Sequence, residues 1–524
     1  MTDHVIDRAT PRLGPIDRYS PAVLLTFALL FGVVAQSLFY RNPIGINVGV
    51  AAIVILFVAH RLRPSGARID SLDRWIVPAA VIFAFLPALR VDPMLLLFDV
   101  PAAFVLLVMA VVSFAGVPLT RRAADILVVL GLVVVGRIVA GGALLLAALP
   151  DLGRPLARRT GGRIVSVGIG IALAFPFLLV FAFLFASADA VFSNAVSNVF
   201  DLRNWSIGEL IGRVLLTGLF AWVGGGLFLL AGRGAETTMS PLLPRLRGLL
   251  SSTAGTTTLL AVDALFLFFV ALQIAYLFGG VDTLNATGLT YSEYGRRGFF
   301  ELIAVAVLAG GLVFGVELVV AHRSRLYVGA ALALVVATCI VVVSAAYRMH
   351  LYQLAYGWTE QRFYALAGIG WLGGASLVAA ILIWRNETRW LLHAAGLLGL
   401  AVAFAVNLIG PSAFVARQDL ERVVNPSGLP DDARRVLDAY YLGSLGDGAV
   451  PTLVEYLPRL GASDRQALGS ALRTFALEKR DLSIGPWQTQ SVDRVRAREA
   501  LLGVADELRN YPLLRFGVPI ADRR

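Results

Sequence analysis

Twelve apolar runs of near-bilayer length constrain this chain more than any other feature. Crossing about 30 Å of hydrocarbon takes roughly 20 mostly apolar residues in a helix. Runs of that kind lie at 21–40, 43–60, 75–89, 96–116, 125–149, 163–187, 207–231, 255–279, 298–321, 326–347, 363–384 and 389–410. The run at 75–89 is short, and 125–149 carries Arg137 near its centre. Only 15% of the residues are charged, where a soluble globular chain carries about 25%. The expectation is an all-α protein with three parts: an N-terminal tail over 1–20, a polytopic membrane helix bundle of about twelve spans over 21–410, and a linker with a small helical extramembrane domain over 411–524.

The net charge of +10 does not point to nucleic acid. Residues 411–524 hold 16 basic and 15 acidic groups, so the excess belongs to the membrane portion, where basic residues crowd short loops. The loops at 151–163, 232–254, 322–325 and 385–389 carry eleven basic residues; the alternating loops 188–206, 280–297 and 348–362 carry five. The first set is expected in the cytoplasm, and the second set with the C-terminal domain outside it, in a bacterial cytoplasmic membrane. The basic N-terminal tail and the loop 61–74 favour a cytoplasmic N-terminus, which conflicts with this arrangement if there are twelve spans. The leading segment is acidic as well as basic, and the run behind it is long and lacks a small-residue cleavage site, so it reads as a retained span.

The polar chemistry concentrates in two stretches, Tyr291–Leu302 (YSEYGRRGFFEL) and Arg348–Tyr364 (RMHLYQLAYGWTEQRFY). Each places Tyr-Gly (Tyr294-Gly295, Tyr356-Gly357) before an arginine (Arg297, Arg362) and two aromatics, and each opens a membrane helix. A helix N-terminus offers free N–H groups and a partial positive charge. Two such ends with Arg297 and Arg362 beside them suit an anion, since a guanidinium binds two oxygens at once. Arg348, Tyr352 and Tyr356 share a face if 348–356 is helical. Thr359 lies between the second Tyr-Gly and Arg362. Glu301, four residues after Arg297, forms an intrahelical pair in the simplest reading. Asp189, at the end of the sixth run, either caps a helix near Val191 or pairs with Arg297 or Arg362. The alternative for the whole set is that the arginines anchor helix ends at lipid headgroups and the tyrosines belong to an aromatic belt.

Glu317, Asp99, Asp263 and Arg137 fall inside apolar runs. A charge at the bilayer centre costs at least about 2.5–3.5 kcal/mol, so each requires a partner or water. The five histidines lack zinc-ligand spacing, Cys339 is the sole cysteine, and Lys479 the sole lysine. No metal site, cofactor motif, phosphate-binding loop or nucleophile elbow is expected. Past residue 428, amphipathic helices are expected near 430–443, 450–459, 463–480 and 491–510. Ser463 with Gln466 makes a capping box. Leu468, Leu472 and Phe475 share one face, and Val492, Val495, Leu502 and Leu508 another.

The stretches SLFYRNPIGIN (37–47), ADAVF (188–192), YSEYGRRGFFEL, Arg348–Arg362 and YYLGSLGDGAVPTL (440–453) resemble a bacterial family of polytopic membrane proteins known as a domain of unknown function. Its core motif reads Tyr-Gly-Leu-Thr followed by an arginine; Trp358 stands here for the leucine. The resemblance implies a multi-span membrane protein with a short extramembrane tail, and no reaction. Three functions stay open. One is binding or transport of an anionic small molecule or lipid headgroup. Another is an enzyme on lipid-linked or envelope substrates, with Asp189, Glu293 and Glu360 as acid or base groups. The third is an envelope scaffold whose tail binds a protein partner. The lipid bilayer is the one partner common to all three.

Overall fold

The structure, a computed structural model, describes residues 21–147, 207–233, 248–278, 299–427, 436–478, 485–515 and 518–520. Eleven of the twelve apolar runs are helices: α1 (Pro21–Phe39), α2 (Ile46–Leu62), α3 (Ile76–Leu89), α4 (Pro93–Phe114), α5 (Ala124–Ala147), α6 (Ile207–Arg233), α7 (Ser252–Phe278), α8 (Phe299–Val319), α9 (Arg325–Tyr356), α10 (Glu360–Trp384) and α11 (Leu391–Ile409). The run at 163–187 lies outside the described residues. Among those described, eight helical stretches are long and apolar enough to cross a membrane, and three shorter apolar helices lie at Val23–Phe39, Ile46–Leu62 and Ile126–Gly141. The helices start where the chain supplies a cap. Asp92 accepts the N–H groups of Met94 and Leu95 ahead of Pro93, and Ser324 accepts that of Tyr327. Proline at the first helical position costs no hydrogen bond.

The bundle has two apolar cores. One is built mainly from α1–α6, the other from α7–α10. Where helices cross closely, glycine removes the side chain: Gly141 of α5 sits against Gly226 of α6, and Gly32 of α1 against the Thr217 carbonyl of α6. A side chain at Gly374 of α10 would meet Leu398 of α11, whereas one at Gly311, Gly315 or Gly370 would meet nothing within 4 Å among the described residues.

The helix ends sort onto two faces. On the first, Asp73 accepts the N–H groups of Leu119 and Thr120, and Asp70 pairs with Arg121 at 2.8 Å. Arg323 reaches Glu317, Asn386 and the Ile383 carbonyl. Ala123 and Ala124 share a cleft with Glu317, Thr388 and Arg389, which joins the two halves on this face. Its connections 63–75, 115–123, 320–324 and 385–390 carry eight arginines; the connections 40–45, 90–92 and 357–359 on the opposite face carry two. The loop 61–74 therefore lies on the same face as 322–325 and 385–389; the loop 151–163 and most of 232–254, expected on that face too, lie outside the described residues. The helices α1 and α6 are antiparallel, with Gly212 at Tyr40 and Gly224 at Phe31, so α6 starts beside the α1–α2 turn.

One boundary needs correction. The stretch 348–356, expected in a loop, continues α9. At 1.5 Å per residue its 32 residues reach about 48 Å, well beyond a hydrocarbon core of about 30 Å. The connection to α10 is three residues, Gly357–Thr359, with Gly357 at φ +82°.

The tail begins at once after Gly410 (φ +74°) with α12 (Pro411–Val424), followed by α13 (Ala439–Ser444), α14 (Val450–Tyr456), α15 (Ala462–Glu478), α16 (Val492–Gly503) and α17 (Ala505–Leu508). A small antiparallel hairpin closes it, β1 (Leu513–Arg515) with β2 (Val518–Ile520), Leu514 opposite Pro519. Leu468 and Leu472 are buried as expected. The helix around them starts at Ala462, so Ser463 sits inside the first turn and does not cap it. Of the face expected on α16 and beyond, Leu508 is buried, but Val492, Val495 and Leu502 are exposed, and Ala497 and Leu501 are buried in their place.

The tail is packed onto the bundle. Leu95 of α4, Phe363 of α10 and Val406 of α11 belong to the same apolar cluster as Val415, Leu420, Leu442 and Leu453. Arg90, just past α3, fastens this contact. Its guanidinium donates to the carbonyls of Asn407 and Leu408 at the end of α11 and pairs with Asp493 of α16 at 3.1 Å. A side chain at Gly410 would collide with that guanidinium. Both partners of the pair are mostly buried, at 18% and 14% exposed. Burial pushes the Asp493 carboxyl up, and Arg90 opposes the shift. Removing one partner of such a pair costs about 3–5 kcal/mol, and an exposed pair contributes about 0–1 kcal/mol. Arg90→Ala should therefore lower the thermal stability of the purified protein clearly and expose the tail to protease. Arg121→Ala, which breaks the more exposed pair to Asp70, should leave both nearly unchanged.

Candidate functional site

The densest polar cluster among the described residues lies where the tail meets the bundle, around the turn Gly357–Thr359. The turn is held from all sides. Asp419 of α12 accepts the Trp358 N–H at 2.8 Å. Arg422, one turn on, donates to the carbonyls of Gln353 and Leu354 in the last turn of α9, the first of which also accepts the Gly357 N–H. Arg362 donates to the Gly357 carbonyl and stacks its guanidinium 4.2 Å from the ring centre of Tyr352, which in turn meets Tyr356 edge-on at 5.1 Å. Thr359 is the N-cap of α10 and accepts the Arg362 N–H. Tyr441, from the tail, accepts the Glu360 N–H at 2.9 Å. Burial pushes the Tyr441 hydroxyl up to about 12, so it stays protonated across physiological pH. Trp358, which replaces the leucine of the family motif, packs edge-on against Phe414 at 4.8 Å and lies 6.5 Å from Phe363.

Behind the turn sit the carboxyls. Glu360 lies beside the Ser412 hydroxyl and the carboxyl of Asp92. One oxygen of Glu360 is buried with no hydrogen-bond partner among the described residues. Tyr364 donates to Asp92 at 3.0 Å. Two turns further into the membrane, Asp99 is 1% exposed and receives both its hydrogen bonds from the amide of Asn407, which is wholly buried.

The expected site residues separate into two groups. Arg362, Tyr352, Tyr356 and Thr359 are brought together at the turn, and Arg348 is half-buried one turn earlier on α9. Asp189, Tyr294, Arg297 and Glu293 lie outside the described residues. Glu301 is in the first turn of α8, and its side chain lies outside the description. Of the charges read deep in apolar runs, Glu317 pairs with Arg323 at 3.2 Å and Asp99 is held by Asn407. Asp263 is 4% exposed with no hydrogen-bond partner for either oxygen among the described residues, and Arg137 is half-exposed. Sequence reasoning missed Arg90, Asp92, Tyr364, Asn407, Asp419, Arg422 and Tyr441. Two had a local signal: Asp92 stands before a proline at a helix start, and Asn407 is the one amide in the last apolar run. The others are legible only once the tail is docked.

A family model described as a domain of unknown function, DUF4153, matches residues 23–456. The chain belongs to the DUF4153 family. The match runs past Gly410 through α14, so the family's shared sequence includes both the bundle and the part of the tail that holds the turn. No curated protein and no solved structure matches this DUF4153 chain.

Titration should loosen the tail side of this cluster in acid. The Glu421 carboxyl accepts from the Tyr456 hydroxyl and from Asn425, which holds it below the usual glutamate range. A depressed folded value means the stabilisation is present above the unfolded glutamate value of about 4.3 and is lost as pH falls through the folded one. Tyr456→Phe removes the first-named cause. The wild-type tail should become more protease-sensitive as pH falls below the ordinary glutamate range. Tyr456→Phe should show a weaker pH response, and an unchanged response in that variant would assign the loosening to another group.

Proposed function

We propose that this DUF4153 protein is a multi-pass binding or transport protein of the bacterial cytoplasmic membrane. Its tail lies on the extracytoplasmic side, and a small solute is taken at the junction of tail and bundle. The eight-to-two distribution of arginines in the described connections supports the orientation, since basic loops are retained in the cytoplasm.

The observation that carries the solute reading is the pair of carboxyls at Asp92 and Glu360. Like charges in contact repel unless a proton or another cation lies between them, and one Glu360 oxygen is buried without a hydrogen bond among the described residues. The donors on which an anion site at α10 would rest are engaged: the Trp358 N–H by Asp419, the Glu360 N–H by Tyr441, and Arg362 by the Gly357 carbonyl and the Tyr352 ring. The solute class that fits the described residues is therefore cationic, an organic amine or a proton. A scaffold reading leaves the burial of these carboxyls unexplained.

Thermal stabilisation of the purified full-length protein by small organic cations and by small organic anions tests this. A cation should stabilise the wild type and lose at least about tenfold in apparent affinity in Glu360→Gln and Asp92→Asn, as expected for a charge-assisted contact. Stabilisation by anions that disappears in Arg362→Ala and survives in Glu360→Gln would overturn the cationic assignment and restore the anion reading.

A further inference from the structure

We propose that Asp99 and Asn407 form a proton-binding site inside the membrane, and that the tail reads its occupancy through Arg90. The proposal concerns the lower end of the polar cluster and needs no solute. Asn407 is 0% exposed and Asp99 1% exposed, so neither can exchange partners with bulk water. The Asn407 amide nitrogen has two protons and spends both: one on the Ala403 carbonyl at 3.0 Å, the other shared between the two Asp99 oxygens, each at 3.0 Å. The amide oxygen of Asn407 is buried with no hydrogen-bond partner among the described residues. An asparagine that is fully buried and leaves its acceptor unused is satisfied in one state of its partner and has an acceptor in reserve for the other.

That other state is protonated Asp99. A proton added to the carboxylate turns one oxygen from acceptor to donor. The amide meets it by turning its free oxygen toward Asp99 while one N–H stays on the other carboxyl oxygen, which realigns the N–H that serves the Ala403 carbonyl. The net step is the uptake of one proton by one carboxylate; no other bond is made or broken covalently. The groups facing Asp99 are Asn407 from α11, Tyr364 from α10 and Asp92 two turns earlier on its own helix, with Glu360 beyond Tyr364. Tyr364 donates to Asp92, whose buried carboxyl also caps the start of α4 on the tail side.

The turn of Asn407 is not private to the membrane. Its backbone carbonyl accepts from Arg90 Nε, and the same guanidinium holds the Leu408 carbonyl and Asp493 of α16. Gly410 leaves no space between that guanidinium and the end of α11. Any movement of the last turn of α11 is thus passed to Arg90 and from there to the tail. The arrangement described here, with the amide nitrogen on Asp99 and the tail fastened, corresponds to ionised Asp99; protonation loosens the fastening.

The test uses the full-length protein in lipid nanodiscs, with Cys339→Ser and spin labels on Arg41→Cys and Trp487→Cys, two exposed sites on the loop before α2 and on the tail segment that packs against it. Lowering the pH from about 8 to about 5, the range that brackets groups titrating near neutrality, should shift the measured distance distribution from docked toward undocked by about tenfold in population. In parallel, infrared difference spectra should gain a carboxylic C=O band. Asp99→Asn, which carries no titratable proton, should remove that band and make the distance distribution insensitive to pH. If Asp99→Asn does not fold, Asp99→Glu takes its place, and a moved midpoint of both signals supports the site. The proposal is overturned if the band survives in Asp99→Asn, if that variant keeps the wild-type response of the distances, or if Asp99→Glu leaves the midpoint where it was. A persisting response would then belong to Asp493 or Glu421 in the tail.

Discussion

A helix that leaves the hydrocarbon carries four carbonyls or four N–H groups with no partner inside the helix, and the tail face of this protein is built to supply them. Arg90 takes the carbonyls of Asn407 and Leu408, Arg422 those of Gln353 and Leu354, and Asp419, Thr359 and Tyr441 the amides that start α10. Three of these groups, Asp419, Arg422 and Tyr441, come from the tail. The bundle therefore uses the tail to finish its own backbone, and the tail core closes over Leu95, Phe363 and Val406. Much else follows from this exchange: the short turn at 357–359, the glycines at positive φ on either side, and the burial of carboxyls at a surface that water would otherwise reach.

This constraint also explains which parts of the structure were legible in the sequence. The apolar helices among the described residues were readable because a segment that crosses hydrocarbon must be apolar for about 20 residues, a property one chain segment shows by itself. Their ends were less readable. The polar residues of 348–356 look like a loop in a hydropathy profile, yet the helix continues because the tail gives that last part something to pack on. The face of α16 was misread for a related reason. Val492, Val495 and Leu502 form the more apolar stripe, but Ala497 and Leu501 face the core, and the choice is made by how closely the helix must approach, which a periodicity count does not contain.

The candidate site shows the same limit in chemical form. A sequence displays donors and acceptors but not what else reaches them. Arg362 beside a helix N-terminus has the residue types of an anion site, and in isolation the inference is sound. In the fold its guanidinium lies on Tyr352 and the Gly357 carbonyl, while the amides beside it are met by Asp419 and Tyr441. The carboxyls had the opposite fate. Asp92 and Glu360 are 268 positions apart in the numbering, and neither resembles a site until α4 and α10 bring them together.

Burial then decides how such carboxyls can act. A carboxylate at a wet helix end is screened and exchanges partners freely, so its proton has little structural consequence. Asp99 is different: it is enclosed, its two oxygens are met by one amide, and that amide belongs to the residue whose backbone carbonyl Arg90 holds. A change in its charge has no water to absorb it and must be taken up by a neighbour that moves. The neighbour able to move lies at the last turn of α11, where the chain leaves the membrane and the tail begins. The junction that completes the backbone of the bundle is therefore also the place where a single buried proton can be felt outside it.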